Sequence, residues 1–376
     1  MNNILEINNL YSIISSPKGP VHVLNDISFA IPKGKIIGII GESGSGKTEL
    51  MKAITGTQRL TPGVVSGSVN YFDSSARSLY PSQRELDNEF SIYPTIDGNY
   101  KRKNEDLFKR KVRSNYVDLR GTIFGIIPQD SKSYLNPFWT VEQFFQDAYN
   151  RLVESPLMLD TNFDEFLSSN LEKFDLDAKA TRKKYPNELS GGQAQRVMNA
   201  FVLAHRPRII FADESTTGLD VGRQKKVIEY LSVLSEEDPS NTIIIISHDI
   251  AFLSHLVEIY YVLFNGFLFE SIYDLKRLNN RETLHPYTGD LLSSLTPDIS
   301  DIEPAGDNII PATNLTEKLT GCPYVGRCGL FANGDGELKN KCKNELPPAL
   351  EKPTGKPPKS LNMDWQRCWH RYLDQQ

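Results

Sequence analysis

Several short clusters in this chain have the residue types needed for chemistry on a phosphate ester. The first is GESGSGKT, Gly41 to Thr48, which follows the apolar run KIIGII and leads into ELMKAIT, closed by Gly56. It fits G-x-x-x-x-G-K-[ST] in the strand, loop and helix setting that the pattern requires. Across Gly41, Glu42, Ser43, Gly44, Ser45 and Gly46 the glycines let backbone N–H groups wrap a polyphosphate. Lys47 would reach the β- and γ-phosphates, and the Thr48 hydroxyl would hold Mg²⁺. The second cluster is Asp213-Glu214, directly after RIIFA (208 to 212). A parallel strand delivers such residues to the ligand crevice, where Asp213 would hold Mg²⁺ through its water shell and Glu214 would orient and deprotonate a water. The other reading is an exposed acidic pair in a loop.

NELSGGQAQR, residues 187 to 196, admits two readings. Ser190 and Gln193 have the spacing of a capping box, which satisfies free donors at any helix start. The adjacent Gly191 and Gly192 add backbone entropy cost and a bare surface, which a cap does not need. With Ser190 they would make an anion site at a helix N-terminus. His248 follows TIIII (242 to 246) in SHD, again at a strand's carboxyl end, and could hydrogen-bond a γ-phosphate and the attacking water. Gln129, in GIIPQDSKSYLNP, could reach Mg²⁺ or water with its amide oxygen, or face solvent as most glutamines do.

The elements that must position these residues read as a parallel α/β core. ILEI, HVLNDISFAI and KIIGII are strand-like, RIIFA and TIIII are buried strands, and VEQFFQDAYNRLV and EFLSSNLEKF have helical periods. IYYVLFNGFLF (259 to 269), broken by Asn265-Gly266, reads as two core strands joined by a tight hairpin. Residues 73 to 120, with KRKNEDLFKRKVR, read as a surface insertion or a solvated helix, because nearby acids dilute the basic run. From about 296 the composition shifts to proline, glycine, asparagine and cysteine, as in a small loop-rich tail domain.

Composition narrows the function classes. The 376 residues allow two or three domains, and 39% hydrophobic with 24% charged is ordinary for a soluble globular chain. A net charge of −5 and a pI near 5.8 supply no basic field for nucleic acid. No run approaches 18 consecutive apolar residues, and MNNILEINNL lacks the regions of a signal peptide, so a cytoplasmic chain is expected. All four cysteines, Cys322, Cys328, Cys342 and Cys368, fall in the last 55 residues, separated by 5, 13 and 25 residues. In a reducing compartment they point to a metal rather than to disulfides. Neither pair has the C-x₂-C spacing of common zinc ribbons, and four thiolates can equally hold an iron–sulfur cluster.

With these residues in one chain, the sequence resembles the nucleotide-binding subunits of ABC transporters over about residues 4 to 295. GESGSGKT is similar to their Walker A loop, Gln129 to the Q-loop, LSGGQ (189 to 193) to the signature, RIIFADE to the Walker B strand, TGLD ending in Asp220 to the D-loop, and His248 to the switch histidine. The resemblance implies an α/β P-loop NTPase of the ABC ATPase type, with an antiparallel β subdomain and a helical signature subdomain. Residues 1 to 295 would form the ATPase domain, with 73 to 120 inserted and 141 to 205 mainly helical. Residues 296 to 376 would form the small cysteine-containing C-terminal domain. It also implies ATP and Mg²⁺ as cofactors, metal contacts from Thr48, Gln129 and Asp213, and catalysis by Glu214, His248 and Gln129. In this family two subunits close head to tail, so Ser190, Gly191, Gly192 and Gln193, with Asp220, would meet the nucleotide held by the partner's loop.

Two departures stand out. Ser215 replaces the proline that usually follows the catalytic glutamate, and no clear aromatic residue precedes VLNDISF to stack on adenine; Tyr11 and His22 both remain open. SYLNP, HPYTGDLLSSL (285 to 295) and the cysteine tail look like the oligopeptide and dipeptide importer branch, whose relatives also carry nickel. The branch implies a second ATPase subunit, two transmembrane permease subunits, an extracytoplasmic substrate-binding protein, no nucleic acid, and a peripheral place on the cytoplasmic face of the membrane. Similar tails bind a [4Fe-4S] cluster; zinc and free thiols are the other readings of these cysteines. The rival function is a soluble ABC ATPase without a membrane partner, although the second cassette or coiled coil that such proteins often carry is not visible.

Overall fold

The computed structural model describes residues 2–58, 61–73, 75–154, 162–213, 238–279, 284–293, 320–351, 358 and 360–369. The chain divides into two units, residues 1–116 with 246–376, and residues 117–245. In the first unit, long apolar-patterned runs form β1 (Asn3–Ser16) and β2 (Gly19–Pro32), antiparallel from Asn3 opposite Pro32 to Ser16 opposite Gly19. The buried run β3 (Ile36–Ile40) leads through the glycine loop into helix α1 (Lys47–Ile54). β4 (Pro62–Phe72) pairs with the other edge of β1, and β5 (Ala76–Ser78) completes the antiparallel order β2-β1-β4-β5.

The basic segment folds onto this framework as α2 (Gln83–Asn88), the hairpin β6 (Ile92–Pro94) and β7 (Tyr100–Arg102), and α3 (Glu105–Tyr116). α3 buries Phe108, Val112 and Tyr116 at four-residue spacing. Its lysines Lys109 and Lys111 pair with Glu105 and Glu85. The expected solvated helix is therefore solvated on one side only. The insertion also reaches the phosphate-loop helix, because the Tyr116 and Tyr80 hydroxyls donate to the carbonyls of Ile54 (3.0 Å) and Ala53 (2.8 Å) in its last turn.

One buried cation secures that insertion. Arg102 donates to the carbonyls of Pro62 (3.0 and 2.8 Å), Val64 (2.6 Å) and Phe90 (2.6 Å), with its guanidinium 3.9 Å from the centre of the Phe108 ring. Burial pushes its pKa down to about 10, which leaves it charged at neutral pH.

β11 (Ile259–Phe264) runs parallel to β3, Ile259 opposite Ile37, and turns at Asn265-Gly266 into β12 (Phe267–Ile272). Both turn residues have positive φ, 49° and 78°, as the asparagine–glycine signal requires. Past the helix Pro286–Ser293, the cysteine tail contributes β13 (Leu350–Glu351) and β14 (Trp365–Gln366), giving the order β13-β14-β12-β11-β3. The described part of the tail thus shares a sheet with the strand that launches the phosphate loop.

In the second unit, β8 (Phe124–Ile127), β9 (Ile209–Asp213) and β10 (Thr242–Ser247) lie in the order β10-β9-β8. β8 and β9 are parallel, Ile127 opposite Ala212. Between them run α4 (Ser131–Tyr134), α5 (Val141–Val153), α6 (Phe163–Glu172), α7 (Ala178–Thr181) and α8 (Gly191–Ala204), the expected helical region. Side-chain caps open several of these helices: Thr140 with Gln143 makes a capping box at α5, Asn162 caps α6 and Asp177 caps α7. Phe144 and Phe145 of α5 meet Phe201 of α8 with ring centres 5.4 and 6.3 Å apart, which ties the bundle together.

Arg102→Ala strands three buried carbonyls and should destabilise the protein by about 2–4 kcal/mol. A lower urea midpoint, with faster amide exchange across residues 83–116, is the expected reading; a wild-type midpoint would show that the insertion is anchored elsewhere.

Candidate functional site

The loop from Gly41 to Gly46 joins β3 to α1 and is held from behind by the β11–β12 turn. A Cβ at Gly41 would fall 2.1 Å from the Leu263 carbonyl oxygen, so only glycine allows this approach. The Gly266 N–H donates to the Ser45 carbonyl at 2.9 Å. Lys47 is 4% exposed, and its ammonium donates to the carbonyls of Gly41 (2.7 Å) and Glu42 (2.9 Å). The Ser45 hydroxyl is buried without a protein partner. Ser43 and Gly44 are exposed at the lip, and Thr48 is half-buried in the first turn of α1. His248, directly after β10, is exposed. Tyr11 and His22 are half-buried on the adjacent strands β1 and β2.

Glu42 spends every polar group it has. Besides the carbonyl that holds Lys47, its N–H donates to the Tyr287 hydroxyl at 2.7 Å. Its carboxylate accepts two N–H groups of Arg327, at 2.7 and 2.8 Å. Burial, first of all, holds the Tyr287 phenol well above its usual range, so it stays protonated. Tyr287 lies in the HPYTGDLLSSL stretch and Arg327 in the cysteine tail, but nothing in the sequence pointed either residue at Glu42, since Arg327 lies 285 residues from it and no local pattern links them.

In the second unit, Gln129 and Asp213 come from the carboxyl ends of neighbouring parallel strands, two residues past Ile127 and one past Ala212. Asp213 is 6% exposed and Gln129 is exposed. The capping-box reading of Ser190 is correct: its Oγ accepts the Gln193 N–H at 3.2 Å, and Gln193 Oε1 accepts the Ser190 N–H at 3.1 Å. That cap does not explain the glycines. A Cβ at Gly191 or Gly192 would meet no atom within 4 Å, so packing inside this chain does not demand their smallness. Glu214 and Asp220 lie outside the described residues.

The four cysteines, reduced in this structure, converge on one cavity, together with Tyr324 and Trp369. Two backbone features bring them there. A Cβ at Gly321 would strike the Lys343 carbonyl at 2.1 Å, and this close crossing lets the Cys322 N–H donate to the Cys342 carbonyl at 2.8 Å. The Arg367 N–H donates to the Phe269 carbonyl at 2.8 Å, which places Cys368 beside β12. Burial pushes the Cys322 thiol well up, and the other three cysteines push it the same way; Cys342 is pushed up to about 11, mainly by burial. Among the described residues no three His, Cys, Asp or Glu side chains form a site for a metal ion.

Known proteins share this organisation. Residues 24–217 match the model of the ABC transporter family. The chain is 30% identical over 335 residues to the oligopeptide transport ATP-binding protein OppD of Salmonella typhimurium, covering 87% of this chain and 86% of that one. It is 27% identical over 369 residues to the oligopeptide transport ATP-binding protein AppD of Bacillus subtilis, covering 95% of each. Among solved structures, a dimeric ATP-binding cassette in a post-hydrolysis state bound to ADP and Pi aligns with TM-score 0.53 at 23% identity, covering 71% of this chain and 97% of that one. The structure of cbiO1 from Clostridium perfringens, part of an ABC transporter complex, aligns at 0.52 and 21%, covering 78% and 100%. At these identities the solved structures establish the fold.

Gly41→Ala forces the loop off the Leu263 carbonyl and should cost about 1–3 kcal/mol. Urea unfolding would show it as a lower midpoint; an unchanged midpoint would mean that the loop is not pinned there.

Proposed function

Because this chain belongs to the ABC transporter family, we propose that it is the ATP-binding and ATP-hydrolysing subunit that powers peptide import through a membrane transporter. The observation that carries the substrate class is the likeness to oligopeptide transport ATP-binding proteins. At 95% coverage it leaves fewer residues unmatched than the cysteine tail contains, so the likeness extends into that tail.

The polyphosphate of ATP is what the loop between β3 and α1 receives. The buried Ser45 hydroxyl is available to it, and the Lys47 ammonium exchanges the Gly41 and Glu42 carbonyls for the β- and γ-phosphates. Thr48, Gln129 and Asp213 would hold Mg²⁺, which would neutralise phosphate charge. Glu214 orients and deprotonates the attacking water, and His248 hydrogen-bonds the γ-phosphate. Ser190, Gly191, Gly192 and Gln193 at the start of α8, with Asp220, serve the ATP of a second ATPase subunit. The open space at both glycines supports that reading, because a phosphate from another chain can approach backbone donors there. Two transmembrane permease subunits hold the pair at the cytoplasmic face of the membrane, and an extracytoplasmic binding protein delivers the peptide. Among the described residues no helix is long and apolar enough to cross a membrane.

For the cysteine cavity we infer a [4Fe-4S] cluster, from the number and type of its possible ligands. Four thiols line one cavity, and a cluster would offer each thiolate its own iron. Cys322, Cys328, Cys342 and Cys368 would hold it, and when bound it would cross-link the tail and supply one-electron chemistry.

Three measurements test this reading. Glu214→Gln should abolish ATP turnover while ATP binding survives; undiminished hydrolysis would remove Glu214 from its role. Pull-down from detergent-solubilised native membranes should recover two permeases and a second ATPase, whereas soluble partners alone would sink the importer assignment. The chain purified without oxygen should contain about four iron and four sulfide; one zinc, or no metal, would exclude the cluster.

A further inference from the structure

We propose that Arg327, in the cysteine tail, is a positioning residue for the phosphate loop, acting through Glu42 and seconded by Tyr287; this rests on the ATP-binding reading above. A carboxylate inside a loop built to receive a polyphosphate is an electrostatic liability, because it repels the ligand and competes for Lys47. Arg327 removes the liability with a two-pronged pair that neutralises the charge and fixes the plane of the carboxylate.

The guanidinium is itself held. It lies 5.4 Å from the Tyr324 ring centre and 5.9 Å from that of Phe264, on a turn where the Arg327 N–H donates to the Tyr324 carbonyl at 3.0 Å. Tyr324 packs against Tyr287, ring centres 5.4 Å apart, and its hydroxyl donates to Asp290. Tyr287 in turn accepts the Glu42 N–H. A rigid frame of three rings therefore grips Glu42 at two points, its N–H and its carboxylate. The third polar group of Glu42 is the carbonyl that accepts Lys47 at 2.9 Å. Arg327 thus sets where the phosphate-binding lysine waits, and one residue further along the chain is Cys328, which lines the cysteine cavity. The tail acts on nucleotide affinity through this contact.

The test compares the full-length wild-type chain with Arg327→Ala, Arg327→Lys, Glu42→Gln and the double variant Glu42→Gln/Arg327→Ala. The readouts are calorimetric binding of a non-hydrolysable ATP analogue and steady-state phosphate release, with the urea midpoint checking that each variant is folded. Arg327→Ala should raise the Kd about tenfold, with kcat at saturating ATP within about twofold of wild type. Arg327→Lys, which keeps the charge but not the fork, should recover part of the loss; it also carries the test if the alanine variant does not fold. In the Glu42→Gln background Arg327→Ala should add little. Wild-type affinity in both Arg327 variants, or an undiminished loss when Glu42 is already glutamine, would overturn the proposal. A wild-type chain that binds no nucleotide would instead overturn the ATP reading beneath it.

Discussion

A lysine ammonium that is 4% exposed must be hydrogen-bonded, and how Lys47 meets that demand organises the first unit. Its acceptors are carbonyls of its own loop, Gly41 and Glu42, so the loop has to curl back over the start of α1. A loop curled that way needs support from outside. The Leu263 carbonyl packs against the missing side chain of Gly41, and the Gly266 N–H ties down Ser45. The tight turn at Asn265-Gly266 is therefore a buttress of the phosphate loop as well as a connection between two strands.

The same demand reaches both ends of α1. At its C-terminal end, Tyr80 and Tyr116 from the insertion donate to carbonyls of its last turn, and Arg102 anchors that insertion to β4. In front of its N-terminal end, Tyr287 and Arg327 hold Glu42. Residues that look peripheral in the sequence, a charged insertion and a cysteine-bearing tail, thus bracket one helix and its loop. The tail can do so because Arg367 and β14 extend the edge of β12, two strands from β3.

In the second unit, parallel pairing does for Gln129 and Asp213 what the hairpin does for Lys47. Adjacent strands in register, Ile127 beside Ala212, end at the same level, and the two polar residues follow at that end. The start of α8 is different. Its cap is complete within the chain, yet among the described residues nothing packs against the two glycines. On the proposed reading, the nucleotide of a second ATPase subunit would meet this bare helix end.

The phosphate loop, the buried strands, the Asn265-Gly266 hairpin, the helical region and the capping box were all legible in the sequence, because each rests on interactions between residues close in the chain or on the periodicity of apolar side chains. The grouping of the cysteines was legible as a count and a spacing, but their convergence needed the crossing at Gly321 and the pairing of β14 with β12. Arg102 lies in a run read only as basic, Tyr287 in a stretch read only as a branch resemblance and Arg327 in neither, so nothing local named their partners. Each works by donating to, or accepting from, a group far away in the chain, and Arg327 meets Glu42 across 285 residues. Local chemistry was thus determined by the sequence alone, whereas the distant partners of Arg102 and Arg327 were decided only by tertiary structure, because a hydrogen bond between distant residues exists only once the intervening chain has folded.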